Sequence, residues 1–356
     1  MAGAADGPGR QLSMRARLRE GLATLPPAYF ALVMATGIVT VAAHLEEWER
    51  VAHALSLVNL AAFGVLWVLF LLRMAWFPYE VGRDFGDFHR APGFFNVVAA
   101  TAVLGTQLTV IHERPSAAVV TWLLALPLWF GATYGVFSRF TTAENKPTLG
   151  AGIDGGWLTA VVATQSISAL GTLISAYTSA WQDVVLFVSL SAWLFGGMLY
   201  IWLIALIFYR YTFFPFMPSD LTPPYWINMG AMAISTLSGA LLVENGRGVP
   251  FVAELAPFLK GLTLLFWATA TWWIPMLAIL GYWRHVTKRF ALIYDPLHWG
   301  AVFPLGMYTV ATIHVARVAD VPFLLWIPHV FAYVALSAWA LAAAGLLRRL
   351  WRLFHF

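Results

Sequence analysis

The sequence predicts an all-α integral membrane protein of ten transmembrane helices arranged as five tandem hairpins. Three observations carry that expectation. Ten apolar runs, each about 20 residues and so long enough to span a bilayer, follow one another along the 356 residues. None of the 17 acidic or 21 basic residues lies in the middle of a run. The composition, 60% hydrophobic and 11% charged with a mean hydropathy of +0.74, departs from the soluble norm of about 45–50% apolar and ~25% charged.

The runs fall at about 27–45, 52–76, 93–111, 117–138, 155–176, 184–209, 223–243, 255–280, 298–318 and 322–347. This leaves a basic tail over 1–25, one ten-span domain over 26–347 and a short basic tail over 348–356, with no room for a separate catalytic domain. The first hairpin opens with Pro26-Pro27 before Tyr29-Phe30 and holds Ala35-Thr36-Gly37; its second run reads Leu66-Trp67-Val68-Leu69-Phe70. The second opens with Pro92-Gly93 before Phe94-Phe95 and holds Thr101 and Gly105-Thr106-Gln107. The third opens with Gly155-Gly156 before Trp157 and holds Thr164-Gln165-Ser166. The fourth opens with Pro223-Pro224 before Tyr225-Trp226 and holds Gly230 and Ser235-Thr236; the fifth opens with Pro296 before Trp299 and holds Gly306 and Thr309. From Phe30 to Phe95, Trp157, Trp226 and Trp299 the steps are 65, 62, 69 and 73 positions, a repeat of one hairpin. Odd runs are rich in small and hydroxyl residues and even runs in Leu, Val, Phe and Trp, so the odd helices are expected inside and the even ones against lipid. Small residues also serve tight helix contacts in lipid, so on composition a conduit and close helix contact are equally supported.

Lys and Arg sort by side. Sixteen of the 21 lie in the tails or in the loops joining even to odd runs, among them Arg73, Arg83, Arg90, Arg139, Lys146, Arg210 and Arg284. Arg50, Arg114, Arg247, Lys260 and Arg317 occupy the other side. The positive-inside rule therefore expects both termini to be cytoplasmic, in a plasma (inner) membrane. Val41-Ala42-Ala43 offers a signal-peptide cleavage site, but removing the first run would put the basic C-terminus on the wrong side. The stretch Met14–Glu20 is basic and reads as a juxtamembrane tail. The net charge of +4 is thus a topology signal rather than a nucleic-acid footprint, since no basic stretch is interleaved with stacking aromatics.

A charge-free interior argues against a proton-relay pump, which needs ionisable groups at mid-depth. It is compatible with an anion conduit, because all five odd helices start on the basic side and each N-terminus carries about half a positive charge. The absence of cysteine excludes disulfides and thiolate metal sites. Asp84, Asp87 and His89 give close-spaced oxygen and nitrogen ligands, so a metal site or membrane-embedded hydrolase is the competing class. His298, His314 and His329 lie near run ends, where a buried bis-His haem is not expected. No cofactor is implied.

The stretches PPAYFALVMATGIV from Pro26, APGFF from Ala91, WLTAVVATQS from Trp157, PPYWINMGAMAIS from Pro223 and HWGAVFPLGMYTVAT from His298 resemble the tellurite-resistance/dicarboxylate transporter family. That family includes plant slow anion channels and fungal malate and sulfite carriers. The resemblance covers all ten runs and implies a quasi-fivefold ring of hairpins, a central pore in each subunit and a homotrimer. It also implies a gate: the family's phenylalanine before a proline on the ninth span matches Phe303 before Pro304. The chemistry fits, because Pro304 cannot donate to Gly300 and should kink the helix, turning an aromatic ring toward an axis where it would close a pore by dewetting.

If Phe303 faces the pore, helical spacing adds Trp299, Gly306 and Val310 to its wall. The same spacing groups Phe30, Met34 and Gly37 on the first span, and Trp226, Gly230 and Ala233 on the seventh. Phe95 and Trp157 hold the matching positions on the third and fifth spans. Thr36, Gln165, Asn228 and Thr309 offer weak anion contacts, or helix-packing hydrogen bonds, with Gln165 and Asn228 foremost because an amide in lipid needs partners. The expected cargo is a small anion, led by malate-like four-carbon dicarboxylates, with chloride, nitrate or sulfite open; the tellurite label describes a phenotype. Channel and proton-linked carrier are both compatible, since a weak diacid can bring its own proton.

Overall fold

The computed structural model describes residues 14–354. Among the described residues ten helices are long and apolar enough to cross a membrane: α1 (Pro27–Leu45), α2 (Glu49–Trp76), α3 (Gly93–Val110), α4 (Pro115–Thr142), α5 (Gly155–Tyr177), α6 (Ser179–Phe213), α7 (Pro223–Asn245), α8 (Ala256–Thr287), α9 (Pro296–Val318) and α10 (Pro322–Arg352). The basic stretch before α1 lies in a further helix, Met14–Thr24. The rest of the expected N-terminal tail, residues 1–13, and residues 355–356 lie outside the described residues.

Four of the odd helices open with a 3₁₀ turn, at Pro27–Phe30, Gly155–Leu158, Pro223–Trp226 and Pro296–His298. Proline suits a first turn, since its fixed φ is already helical and its missing N–H would have had no partner there. The tighter 3₁₀ pitch is common at helix starts.

Burial separates the two sets. Of each odd helix's apolar stretch 72–94% is buried, against 17–50% for the even helices. The odd helices carry Ala, Gly, Ser and Thr, which let backbones approach closely where no water can drive helices together. They also contact one another in sequence: α1 on α3, α3 on α5, α5 on α7, α7 on α9, and α9 back on α1. The cycle closes. Each even helix lies outside it, against the odd helix before it and, less extensively, against the one after, with α10 reaching α1.

One device recurs at every outer seam. Each even helix sends a side-chain N–H to the next odd helix. Asn59 Nδ2 of α2 donates to Gln107 Oε1 of α3 at 2.8 Å, Trp122 Nε1 of α4 to Ile167 O of α5 at 3.0 Å, and Trp193 Nε1 of α6 to Ser235 O of α7 at 2.8 Å. Trp267 Nε1 of α8 donates to Thr312 Oγ1 of α9 at 3.1 Å, and Trp339 Nε1 of α10 to Thr36 Oγ1 of α1 at 2.9 Å. In lipid such bonds contribute roughly 0.6 kcal/mol on average, so their value lies as much in fixing register as in stability.

Candidate functional site: the inner face of the helix cycle

The helix α9 can be oriented from its own contacts. Thr312 accepts from Trp267, and the Tyr308 hydroxyl lies 2.8 Å from Thr271 Oγ1, so this side of α9 meets α8. Pro304 meets α7, because a Cβ built on Gly230 would stand 2.6 Å from Pro304 Cγ. Gly306 meets α1, with Ile38 and Val39 each 3.1 Å from its built Cβ. Phe303 lies two and a half turns from Thr312, on the opposite side of the helix, between the contacts to α7 and α1. It is fully buried. Val310, two turns on, shares that side and is also buried.

The same triangulation on α1 uses Gly37, whose built Cβ would meet Val103 of α3 at 2.7 Å and Asn59 of α2 at 2.9 Å. Thr36 points to α10, and Ile38 and Val39 lie toward α9. Met34 and Ile38, both buried, fall between the α3 and α9 contacts, on the inner side of the cycle.

The other residues expected in the wall have specific neighbours. Phe30 meets Trp67 and Phe70 of α2 edge-on, each with centroids 5.8 Å away, and Phe95 meets Phe137 of α4 at 6.0 Å. Trp157 lies 4.9 Å from Phe140, Trp299 donates to the Tyr294 hydroxyl, and Trp226 is half-buried. Gln165 Nε2 donates to Trp193 O of α6 and Asn228 Nδ2 to the Tyr211 hydroxyl; their oxygens, Gln165 Oε1 and Asn228 Oδ1, are buried without a partner among the described residues. Thr309 returns its hydroxyl to Leu305 O. Gly37, Gly230 and Gly306 stand where neighbouring helices touch.

Charge is confined to the ends. Among Asp, Glu, Lys and Arg the odd helices hold only Glu244 and Arg317, both in last turns. The expectation of five open positive N-termini needs correction, because two carry their own carboxylates. Asp154 Oδ1 accepts from Gly156 N at the start of α5, and Asp295 Oδ1 accepts from Leu297 N at the start of α9. An Asp at the N-cap offsets the dipole there. Among the described residues no side chain caps the start of α1, α3 or α7.

The competing metal loop is also corrected. Asp84 forms ion pairs with Arg73 at 2.8 Å and Arg90 at 2.6 Å, and Asp87 accepts from the backbone of His89 and Arg90. His89 instead meets Asp154, 3.3 Å away. That hydrogen bond holds His89 protonated to higher pH than an ordinary histidine, while burial works the other way. Among the described residues no group of three His, Asp or Glu side chains could hold a metal.

The histidines at helix ends are likewise taken. His298 completes a capping box with Asp295, His329 lies 2.9 Å from Glu46, and His314 lies 2.9 Å from Glu244. Spacing did not reveal the His314–Glu244 and His329–Glu46 pairs, because their members are far apart in sequence and meet only once the cycle closes.

The comparisons agree with this architecture. The family model for SLAC1, voltage-dependent anion channel, matches residues 24–347. An uncharacterized transporter of Methanocaldococcus jannaschii is 26% identical over 294 residues, 80% of this chain and 83% of its own length. An uncharacterized membrane protein of Mycobacterium tuberculosis is 37% identical over 152 residues, 43% of this chain and 77% of its own. The matched range spans every helix of the cycle, so the chain belongs to the SLAC1 voltage-dependent anion channel family, a family of membrane channels and transporters rather than enzymes.

Proposed function

We propose that this protein passes small anions along the axis of the odd-helix cycle and that the Phe303 ring occludes the path. The observation that carries the reading is the position of Phe303: fully buried, turned away from α8, and next to Pro304, whose ring seats against Gly230. Pro304 also withholds a donor from Gly300 O, which loosens α9 one turn before the ring. An apolar constriction with no fixed charge closes by dewetting and reopens when the ring swings aside.

The wall of the path is then Phe303, Val310, Met34 and Ile38, with the remaining expected residues contributing at its ends or through their backbones. Weak contacts suit conduction, since tight ones would trap the ion. The cargo is a malate-like four-carbon dicarboxylate, the basic face is cytoplasmic with both termini on it, and the protein acts in the plasma membrane as a homotrimer. The open starts of α1, α3 and α7 draw the anion on the basic face.

Reconstitution tests the reading. Liposomes containing the protein should take up malate, and Phe303→Ala should raise the initial rate several-fold. Chloride uptake without malate uptake would replace the cargo. Equal rates for the wild type and Phe303→Ala would remove the gate.

A further inference from the structure

We propose that Glu244 and His314 form a proton-binding site at the mouth of the path opposite the basic face, so that anion passage depends on the pH on that side. This rests on the transport reading above and adds a site to it.

The pair joins α7 to α9 across the seam beside the gate. His314 lies 11 residues, three turns, beyond Phe303 on the same side of α9, which puts it about 16 Å further along the helix. Glu244 is in the last turn of α7, on the side that also carries Gly230, the residue touching Pro304. His314 Nδ1 stands 2.9 Å from Glu244 Oε2. With the side chains 14% and 23% exposed, the pair is sheltered yet open to protons. Glu244 is also the one carboxylate in the five odd helices.

Other ionisable groups surround the pair without joining it. On α1 His44 is held by Glu49, and Glu46 is held by His329 of α10. Lys260 of α8, Arg247 and Glu254 between α7 and α8, Arg317 of α9 with Asp320 just past it, Glu47 just past α1 and Asp183 at the start of α6 are the other charges at this end of the flanking elements, and α5 has none. Among the described residues Glu244 and His314 form ion pairs only with each other.

Histidine is the side chain whose ordinary titration falls between pH 5 and 8. With His314 neutral, the pair presents one negative charge to an approaching anion. Protonation turns it into a neutral ion pair, and the repulsion disappears. A unit charge about 8 Å from the path in a water-like dielectric changes passage roughly two- to threefold.

The test measures malate and chloride uptake into liposomes at external pH 5.5, 6.5 and 7.5 with the internal pH fixed, for wild type, Glu244→Gln and His314→Gln. Chloride keeps its charge throughout, and malate's own titration is common to all three proteins. Wild-type uptake should rise on acidification by about two- to threefold for chloride and by roughly the square of that factor for the malate dianion. Glu244→Gln should be as fast at pH 7.5 as the wild type at pH 5.5, and any further rise should move to lower pH, because no carboxylate then favours protonation of His314. His314→Gln should stay slow to lower pH. Both variants should melt cooperatively, so that a fold defect is visible separately. Variant profiles superimposing on the wild type would overturn the site while leaving transport standing; no uptake of either anion by wild type or Phe303→Ala would overturn the transport reading itself.

Discussion

Pro304 of α9 lies against Gly230 of α7 so closely that a Cβ on the glycine would stand 2.6 Å from the ring carbon Cγ and 3.2 Å from the proline Cα. The second distance matters more, because a backbone atom cannot turn aside. Gly230→Ala should therefore force α7 and α9 apart, at about 1–3 kcal/mol, and lower the melting temperature. It should also raise basal anion leak, since Phe303, the proposed gate, directly precedes Pro304. Combining Gly230→Ala with Pro304→Ala should destabilise less than the two changes added separately, by at least about 0.5 kcal/mol. Simple additivity in a double-mutant melting cycle would show that the contact is not felt.

The seam between α10 and α1 rests on a tryptophan. Trp339→Phe keeps most of the ring but removes the N–H that reaches Thr36 Oγ1, so a loss of about 0.5–1.5 kcal/mol is expected. Thr36→Val added to that background should cost little more. Unfolding in mixed micelles reads both.

Asp84 holds two arginines at once. Arg73 is buried and also donates from Nε to Ala23 O, while Arg90 Nη2 donates to Thr24 O. Asp84→Asn leaves a buried guanidinium without its counter-charge, at about 3–5 kcal/mol. Because both arginines tie down the end of helix Met14–Thr24, protease cleavage around that helix should accelerate. Unchanged cleavage would mean the helix is held by other contacts.

His89 gives a pH signature on the basic face. Its partner Asp154 raises its proton affinity in the folded protein. A histidine shifted upward contributes stability that is complete below the ordinary histidine range and fades as pH climbs through the raised value. Melting temperature should fall from pH 6 toward pH 8, and His89→Ala should flatten that slope. The His89 side chain is more than half exposed, so added salt should shrink the effect.

Much of this architecture is legible in the sequence, for identifiable reasons. The expected first run, 27–45, coincides with α1, and 93–111 ends one residue past α3. Even helices run longer than expected, as with 184–209 against Ser179–Phe213, because hydropathy marks the lipid-facing part and the helix continues beyond it. Odd-inside and even-outside followed from Gly, Ala, Ser and Thr against Leu, Val, Phe and Trp. The direction of Phe30 was not legible. Four residues of α-helix turn about 400°, so Phe30 is swung about 40° from Met34 around α1, and it turns out to meet Trp67 and Phe70 of α2. Tryptophan seams and the Glu244–His314 pair were hidden for a different reason: each joins residues that meet only in the closed cycle.

Since α10 grips α1 just as every hairpin grips its successor, the molecule is a hoop rather than a string, and its first and last spans meet at an ordinary joint. A variant begun at the loop before α3 and rejoined from α10 to α1 by a short flexible tether should assemble the same barrel of helices. Loosening any single joint should weaken the whole hoop, whichever hairpin the ribosome happened to make first.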